Sequence, residues 1–155
     1  MIIIHEQLPK EAKHIVKTIN TVYGLESILE EAKLENLFIP IPEFNGFKQS
    51  YHEIHEYFKD ILEKEMMLIL TGRDLYANNK SQDDDWILGY YYRNLAVVAT
   101  ARIKRHDNKQ SAIVEVPEEL YLKRAAYLAI HEIGHGVITG DHLKYAKWVN
   151  TKKGY

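Results

Sequence analysis

Apolar residues recur along the chain in patterns that predict alternating strands and helices. The β-branched residues at positions 1–5 predict an opening strand. From Pro9 to Tyr23 the apolar spacing is helical, and Gly24 is typical of a helix end. Residues 25–37 follow neither period clearly. The stripe of the first helix that is predicted to face the core comprises Ala12, Val16, Ile19 and Val22.

The middle of the chain predicts a turn region, a helix and a buried strand. Residues 39–42 must leave the helical region, because each of their two prolines restricts the residue before it. A second amphipathic helix is predicted over residues 50–65, and the apolar run 66–70 is typical of a buried strand. The side chains of this helix that are predicted to point inward are Tyr51, Ile54, Phe58, Ile61 and Leu62.

The second half of the chain opens with polar residues 78–85, which predict a loop. Two β-rich runs, 86–92 and 95–103, predict strands, and a weaker one covers 111–116. Residues 117–119, Pro-Glu-Glu, are typical of a first helical turn, since proline needs no N–H there and the carboxylates favour the positive end of the dipole. We expect this last helix to reach about residue 139.

Composition limits what these elements can build. The 155 residues, 46% of them hydrophobic and 27% charged, suffice for one domain over residues 1–155, and the sequence shows no repeat or linker. With no cysteine, the chain has no disulfide, no thiolate chemistry and no cysteine-based metal site. Any metal must be bound by nitrogen or oxygen.

The charge balance names no partner. The 20 basic and 22 acidic side chains leave a net charge of -2, which creates no field that would attract nucleic acid. The sequence begins with no secretory signal, and no run approaches the roughly 18 apolar residues that a membrane helix needs. We therefore expect a cytoplasmic protein that binds neither nucleic acid nor membrane.

One motif within the last predicted helix carries chemistry. His131-Glu132-Ile133-Gly134-His135 is the H-E-x-x-H pattern. Histidines at i and i+4 lie on one helix face, close enough for two imidazoles to converge on a zinc ion. The carboxylate of Glu132 is then placed to reach a water on the metal, as a general base must. The motif predicts His131 and His135 as metal ligands and Glu132 as the catalytic residue.

A third ligand is expected just after the helix. Gly140 permits a turn there, and both Asp141 and His142 could then bring a side chain back to the metal. His142 is favoured, because imidazole suits zinc, while Asp141 stays an alternative.

Two glycines inside the same helix also require a reason. Gly134 and Gly136 each cost a helix interior roughly 0.8–1.0 kcal/mol relative to alanine. Either another backbone or a substrate comes close to them, or the helix packs tightly there.

Several stretches together resemble a known family, the archaemetzincins, which are small zinc-dependent peptidases of the metzincin clan. Residues 131–135 match the zinc helix of that family residue for residue. Three other stretches are similar to the family. The first is Ile-Pro-Ile-Pro at 39–42, followed by residues 43–51, which contain Asn and Gln-Ser-Tyr. The others are the strand 70–76, which ends in Asp-Leu-Tyr, and the run 95–103, which contains Val-Val and Arg102. For Arg102, a surface ion pair is an equally good explanation.

The resemblance implies an α/β (α+β) zincin-like fold, with a twisted mixed sheet whose antiparallel edge strand borders a cleft opposite the zinc helix. It implies one zinc ion bound by His131 and His135, with Glu132 as the base; the third ligand is His142, which we favour, or Asp141. Residues 95–103 would present their backbone to a peptide or protein substrate.

Three features depart from the pattern of the clan. Ile138 stands at the position of its glycine and Asp141 at that of its last histidine, no methionine follows Met67, and the cysteines of a second zinc site are missing. Two hypotheses follow: an active zinc metallopeptidase, or a weakly active or inactive zinc-binding pseudoenzyme that acts as a peptide-binding or structural module. The retained Glu132 favours the first, because a structural zinc needs no base.

Two further patterns have simpler explanations. His52 and His55 have i,i+3 spacing without a third partner, which favours a helix surface over metal binding. Residues 90–92 are three consecutive tyrosines, whose rings alternate between the faces of a strand. At least one is expected in the core, and another could line a cleft.

Overall fold

The computed structural model of the chain describes residues 1–77, 85–105 and 114–138. Its main sheet has five strands, in the order β2-β1-β5-β9-β8. These strands are β1 (Ile2–His5), β2 (Ile28–Glu31), β5 (Met67–Thr71), β8 (Gly89–Tyr92) and β9 (Leu95–Ala99). The first four in spatial order are parallel, and β8 pairs antiparallel with β9 at the edge. The expected mixed α/β sheet with an antiparallel edge strand is confirmed.

Four helices cover the faces of this sheet: α1 (Pro9–Tyr23), α2 (Tyr51–Tyr57), α3 (Lys59–Leu62) and α4 (Glu118–Val137). A second, smaller sheet has the order β3-β4-β6-β7. Its strands are β3 (Pro40–Ile41), β4 (Gly46–Lys48), β6 (Leu75–Tyr76) and β7 (Trp86–Ile87). No helix within the described ranges is both long and apolar enough to cross a membrane.

The central strands are apolar at nearly every position because the sheet is covered on both faces. On β5, Leu68 and Leu70 pack with helices α1 and α4 in one buried cluster. Met67 and Ile69 point to the other face and share a cluster with Ile54 of α2. Alternate side chains of β5 therefore belong to two hydrophobic clusters, one on each face of the sheet. Helix α4 packs in the first of these clusters.

The first helix follows its sequence signals at both ends. Proline stands in its first turn, and Gly24 ends it in the left-handed conformation, with φ of 66°. The predicted inward stripe is partly wrong, because Ile15 is fully buried and Val22 is 50% exposed. The buried residues Ala12, Ile15 and Ile19 follow the i, i+3, i+7 spacing of a helix face.

The predicted helix over residues 50–65 is two shorter helices, α2 and α3. At Phe58 the backbone has φ of −100° and ψ of 15°, which interrupts the helical path. Leu62 is buried after the interruption, but Ile61 is 39% exposed, so its predicted inward orientation is wrong. A continuous apolar period does not reveal such a local change of direction.

The edge of the main sheet differs from the expectation for residues 95–103. Strand β9 covers only residues 95–99, and it lies between β5 and β8. Its backbone groups are used by these two neighbours, so β9 offers no free edge to a peptide. Residues 86–92 divide into β7, which belongs to the small sheet, and β8, which belongs to the main sheet. Among the described strands, β8 is the one next to β9 at the edge of the main sheet.

Other predictions fall partly outside the described residues. The expected loop lies there except for Asp85, as do residues 111–113 of the weak β-run and the segment from Thr139 onward. Of residues 114–116, Glu115 forms an isolated bridge with Arg105 and no strand. Helix α4 ends at Val137, slightly before the predicted end.

Candidate metal centre

The H-E-x-x-H residues lie in the last turns of α4, on the side of the helix that faces β8 and β9. This part of α4 is buried because Leu128, Ala129 and Ile133 pack in the core beneath it. His131 and Glu132 are themselves only 6% and 5% exposed, although both are polar. Ionisable side chains that are buried where apolar side chains would be expected are typical of a functional site.

The two imidazoles converge as the motif predicts. The Nε2 atoms of His131 and His135 are 3.3 Å apart. Two nitrogen ligands at about 2.0–2.1 Å from a tetrahedral zinc would be separated by about 3.3–3.4 Å. The pair therefore fits zinc without rearrangement.

The carboxylate of Glu132 spans the two histidines. Its Oε1 is 4.0 Å from Nε2 of His131, and its Oε2 is 4.0 Å from Nε2 of His135. Both distances exceed the separation of two ligands on one tetrahedral ion, so the carboxylate lies beside a metal position rather than on it. Among the described residues, these three form the group of side chains that could hold a metal ion.

Burial controls the protonation of the site. Burial and, to a smaller extent, repulsion from His135 together lower the pKa of His131 to about 4. A neutral imidazole is the form that binds a metal, so His131 is ready for this role at neutral pH. Burial also raises the pKa of Glu132 to about 8 in the protein without metal.

The edge strand β8 forms the opposite wall of the site. At Gly89, an added Cβ would lie 3.2 Å from Oε1 of Glu132 and 2.5 Å from the carbonyl oxygen of Val97. Two residues along β8, the ring of Tyr91 stacks on His135, with centroids 5.9 Å apart. Sequence reasoning missed Gly89, although a glycine within a β-rich run is a signal of close approach.

The two glycines of α4 have the packing explanation. A Cβ at Gly134 would lie 2.9 Å from the hydroxyl of Tyr23, which donates a hydrogen bond to the carbonyl of Ile130. A Cβ at Gly136 would overlap the methyl group of Met66 and lie 2.6 Å from the hydroxyl of Tyr91. Side chains of the chain itself, not a substrate, require both glycines.

The predicted third ligand is not located. His142 and its alternative Asp141 lie outside the described residues, as does Gly140. Ile138 ends the helix in an extended conformation, with φ of −96° and ψ of 104°. The chain thus leaves the helical path before it reaches either candidate.

Three residues from the other stretches that resemble the family, Asp74, Tyr76 and Arg102, form a separate hydrogen-bonded network. Arg102 is 2% exposed and donates to both carboxylate oxygens of Asp74, at 2.8 and 3.1 Å, and to the hydroxyl of Tyr76 at 2.7 Å. Its guanidinium also lies over the ring of Trp86. The alternative of a surface ion pair for Arg102 is therefore wrong.

The three tyrosines of β8 divide between the two faces. Tyr90 is largely buried, and its hydroxyl donates to the carbonyl of Gln49 at 2.6 Å. Tyr92 lies on the same face as Tyr90, where its ring contacts His52 and His55 at 5.3 and 5.2 Å. Of the three, Tyr91 faces the metal centre, so one ring packs against the core and another lies beside His135.

Comparisons with known proteins identify the fold. No family model matches the sequence, and no curated protein does. A solved zinc-dependent peptidase from Methanocorpusculum labreanum matches with a TM-score of 0.64 at 16% identity, covering 87% of this chain and 80% of that one. Archaemetzincin from Archaeoglobus fulgidus, complexed with malonate, matches with a TM-score of 0.60 at 17% identity, covering 88% and 78%. The chain therefore has an archaemetzincin-like, metallopeptidase-like fold, with a divergent sequence.

Proposed function

We propose that this protein is a zinc-dependent metallopeptidase of archaemetzincin type. One observation carries the proposal: two buried imidazoles stand at the separation of zinc ligands, with a buried carboxylate directly beside them. A structural zinc site would have no use for that carboxylate. The archaemetzincin-like fold supports the same function.

His131 and His135 would hold one zinc ion together with a third ligand, for which we favour His142 over Asp141. When bound, zinc lowers the pKa of a water molecule and polarises the carbonyl of the scissile bond. Glu132 accepts the proton of the attacking water and passes it to the leaving amine. Burial strengthens the electrostatic interactions of the Glu132 carboxylate with the attacking water and with the leaving amine, because little bulk water competes for the carboxylate.

The substrate would bind as an additional strand on β8. Within the described part of the chain, no strand pairs with the outer edge of β8. A peptide can hydrogen-bond to such an edge through its main chain. Since Gly89 lies against Glu132 and Tyr91 against His135, a peptide on this edge would pass the metal centre.

Zinc removal tests this function. Zinc-loaded protein should cleave flexible peptides, lose the activity after treatment with a chelator, and regain it when zinc is added back. Cleavage that persists in the metal-free protein would contradict the proposal. Zinc affinities of His142→Ala and Asp141→Ala, measured by competition with a chelating dye, identify the third ligand as the residue whose loss weakens binding more.

The second candidate is a zinc-binding pseudoenzyme that serves as a peptide-binding or structural module. The absence of any methionine after Met67 and the unusual spacing of the third ligand favour it. This candidate predicts zinc binding with no cleavage. The same zinc titration and cleavage assay distinguish the two.

A further inference from the structure

The two histidines of the metal centre are held in different ways. The side chain of His131 is 4% exposed and is enclosed by the core, whereas that of His135 is 22% exposed and borders the cleft. A side chain at the border of a cleft has more rotamers open to it, and binding a metal must suppress them. Contacts with neighbouring side chains, in addition to core packing, therefore help to orient His135.

Tyr91 is in the position to do so. Its ring stacks on the imidazole of His135 with an angle of 24° between the planes, while His131 meets the same imidazole edge-on at 82°. Centroid distances of 5.9 and 4.8 Å lie in the range of favourable aromatic contacts. The imidazole of His135 is thus in contact with Tyr91 as well as with the other histidine.

Tyr91 is itself fixed by hydrogen bonds. Its hydroxyl accepts from the backbone N–H of Asn94 at 3.0 Å and donates to the side-chain oxygen of Asn94 at 3.2 Å. The side-chain amide of Asn94 donates in turn to the carbonyl of Leu62 at 3.1 Å. Asn94 and Arg93 form the tight turn between β8 and β9, with φ of 68° and 45°, so the anchor is part of a rigid hairpin.

The zinc helix is shaped around the same ring. Gly136, directly after His135, leaves the space that the hydroxyl end of Tyr91 and the methyl group of Met66 occupy. A glycine inside a helix costs roughly 0.8–1.0 kcal/mol relative to alanine. The chain retains this cost at a position where a side chain would collide with Tyr91.

We propose that Tyr91 is a positioning residue, which holds the imidazole of His135 in the orientation that binds the metal. It acts through His135 and touches neither metal nor substrate in this role. The inference rests on the proposed zinc site. Residues that orient a metal-bound histidine from outside the ligand set typically contribute about 10–100-fold to metal affinity.

The test compares Tyr91→Leu with Tyr92→Leu. The two residues are adjacent on β8, both are half-buried, and Tyr92 points to the opposite face, away from the metal centre. We expect Tyr91→Leu to bind zinc about 10–100-fold more weakly than the native protein and Tyr92→Leu to bind it as the native protein does. Tyr91→Phe, which keeps the ring and loses only the anchor, should restore most of the affinity.

Thermal unfolding of the metal-free proteins separates positioning from folding. If the role of Tyr91 is to orient His135, the metal-free Tyr91→Leu variant melts at nearly the same temperature as Tyr92→Leu, while its zinc affinity is lower. Equal zinc affinities of Tyr91→Leu and Tyr92→Leu would overturn the inference and leave the proposed function intact. Failure of the native protein to bind zinc would overturn both.

Discussion

At the level of single residues, the candidate metal centre depends on burying ionisable side chains. Glu132 and His131 are enclosed by apolar packing, and burial moves their two pKa values in opposite directions. Each shift favours the neutral form in the metal-free protein. A cation beside Glu132 would favour the ionised carboxylate and so lower its pKa again.

The first prediction concerns His131. Its pKa of about 4, against the usual 6.5, means that the imidazole stays neutral in the metal-free protein as pH falls from 6.5 toward 4. Since the unfolded chain gains a proton in this window and the folded chain does not, this group destabilises the fold there. NMR of the ring nitrogens should show His131 titrating near pH 4, and titration near 6.5 would contradict the burial argument.

The second prediction concerns Glu132. Its pKa is raised from 4.5 to about 8, so the stability that the neutral carboxyl provides is present below pH 4.5 and is lost as pH rises through 8. Metal-free Glu132→Gln has no such carboxyl to ionise. Urea unfolding should find the variant and the native protein similar at pH 4.5 and the variant more stable at pH 9. An equal pH dependence of the two would be inconsistent with a raised pKa.

The third prediction concerns the buried pair of Arg102 and Asp74. Arg102→Met removes the guanidinium that pairs with the carboxylate of Asp74, whose side chain is 11% exposed. Removing one member of a buried pair typically costs about 3–5 kcal/mol in the free energy of unfolding. Chemical denaturation measures the loss. The control is Lys10→Met, since the bridge from Lys10 to Glu118 is exposed and its removal should change little.

At the level of elements, local patterns in the sequence predict what local interactions decide. The first helix, strand β5 and helix α4 each have their own start signal, end signal or apolar run, and each is confirmed within a residue or two. The interruption at Phe58 and the edge position of β8 depend on how distant segments meet. No local period contains that information.

The metal centre shows the same division. The convergence of His131 and His135 follows from their spacing on one helix, and the sequence predicts it. The roles of Gly89 and Tyr91 depend on which strand lies at the edge of the sheet, and strand order is a long-range property. The resemblance to a family brought Asp74, Tyr76 and Arg102 to notice, yet only the fold shows that they form one network.

The fourth prediction concerns the contact between β8 and the zinc helix. In Gly89→Ala, the new methyl group would lie 2.5 Å from the backbone carbonyl of Val97, which cannot move aside without disturbing β9. We expect a loss of about 1–3 kcal/mol or more in the free energy of unfolding. Gly72→Ala is the matched control, since an added Cβ meets nothing within 4 Å there. Equal stabilities of the two variants would contradict the close contact.

At the level of the whole molecule, the packing of α4 on the main sheet brings the residues of the candidate site next to the edge strand β8. Helix α4 is held on one face of the main sheet by the core, and the edge strand β8 lies against its last turns. Glu132 and the two histidines therefore lie next to the edge strand of the main sheet. This combination is what a zinc peptidase needs, and it is the basis of the proposed function.

Cleavage of a mixed peptide library by zinc-loaded protein, beside zinc-loaded Glu132→Ala, tests the central claim most directly. Zinc content is determined in both samples, so that loss of metal is not mistaken for loss of the base. The account predicts that both proteins bind zinc and that the variant cleaves about 10²–10⁴-fold more slowly or not at all. Equal cleavage rates, or no cleavage by either zinc-loaded protein, would contradict it.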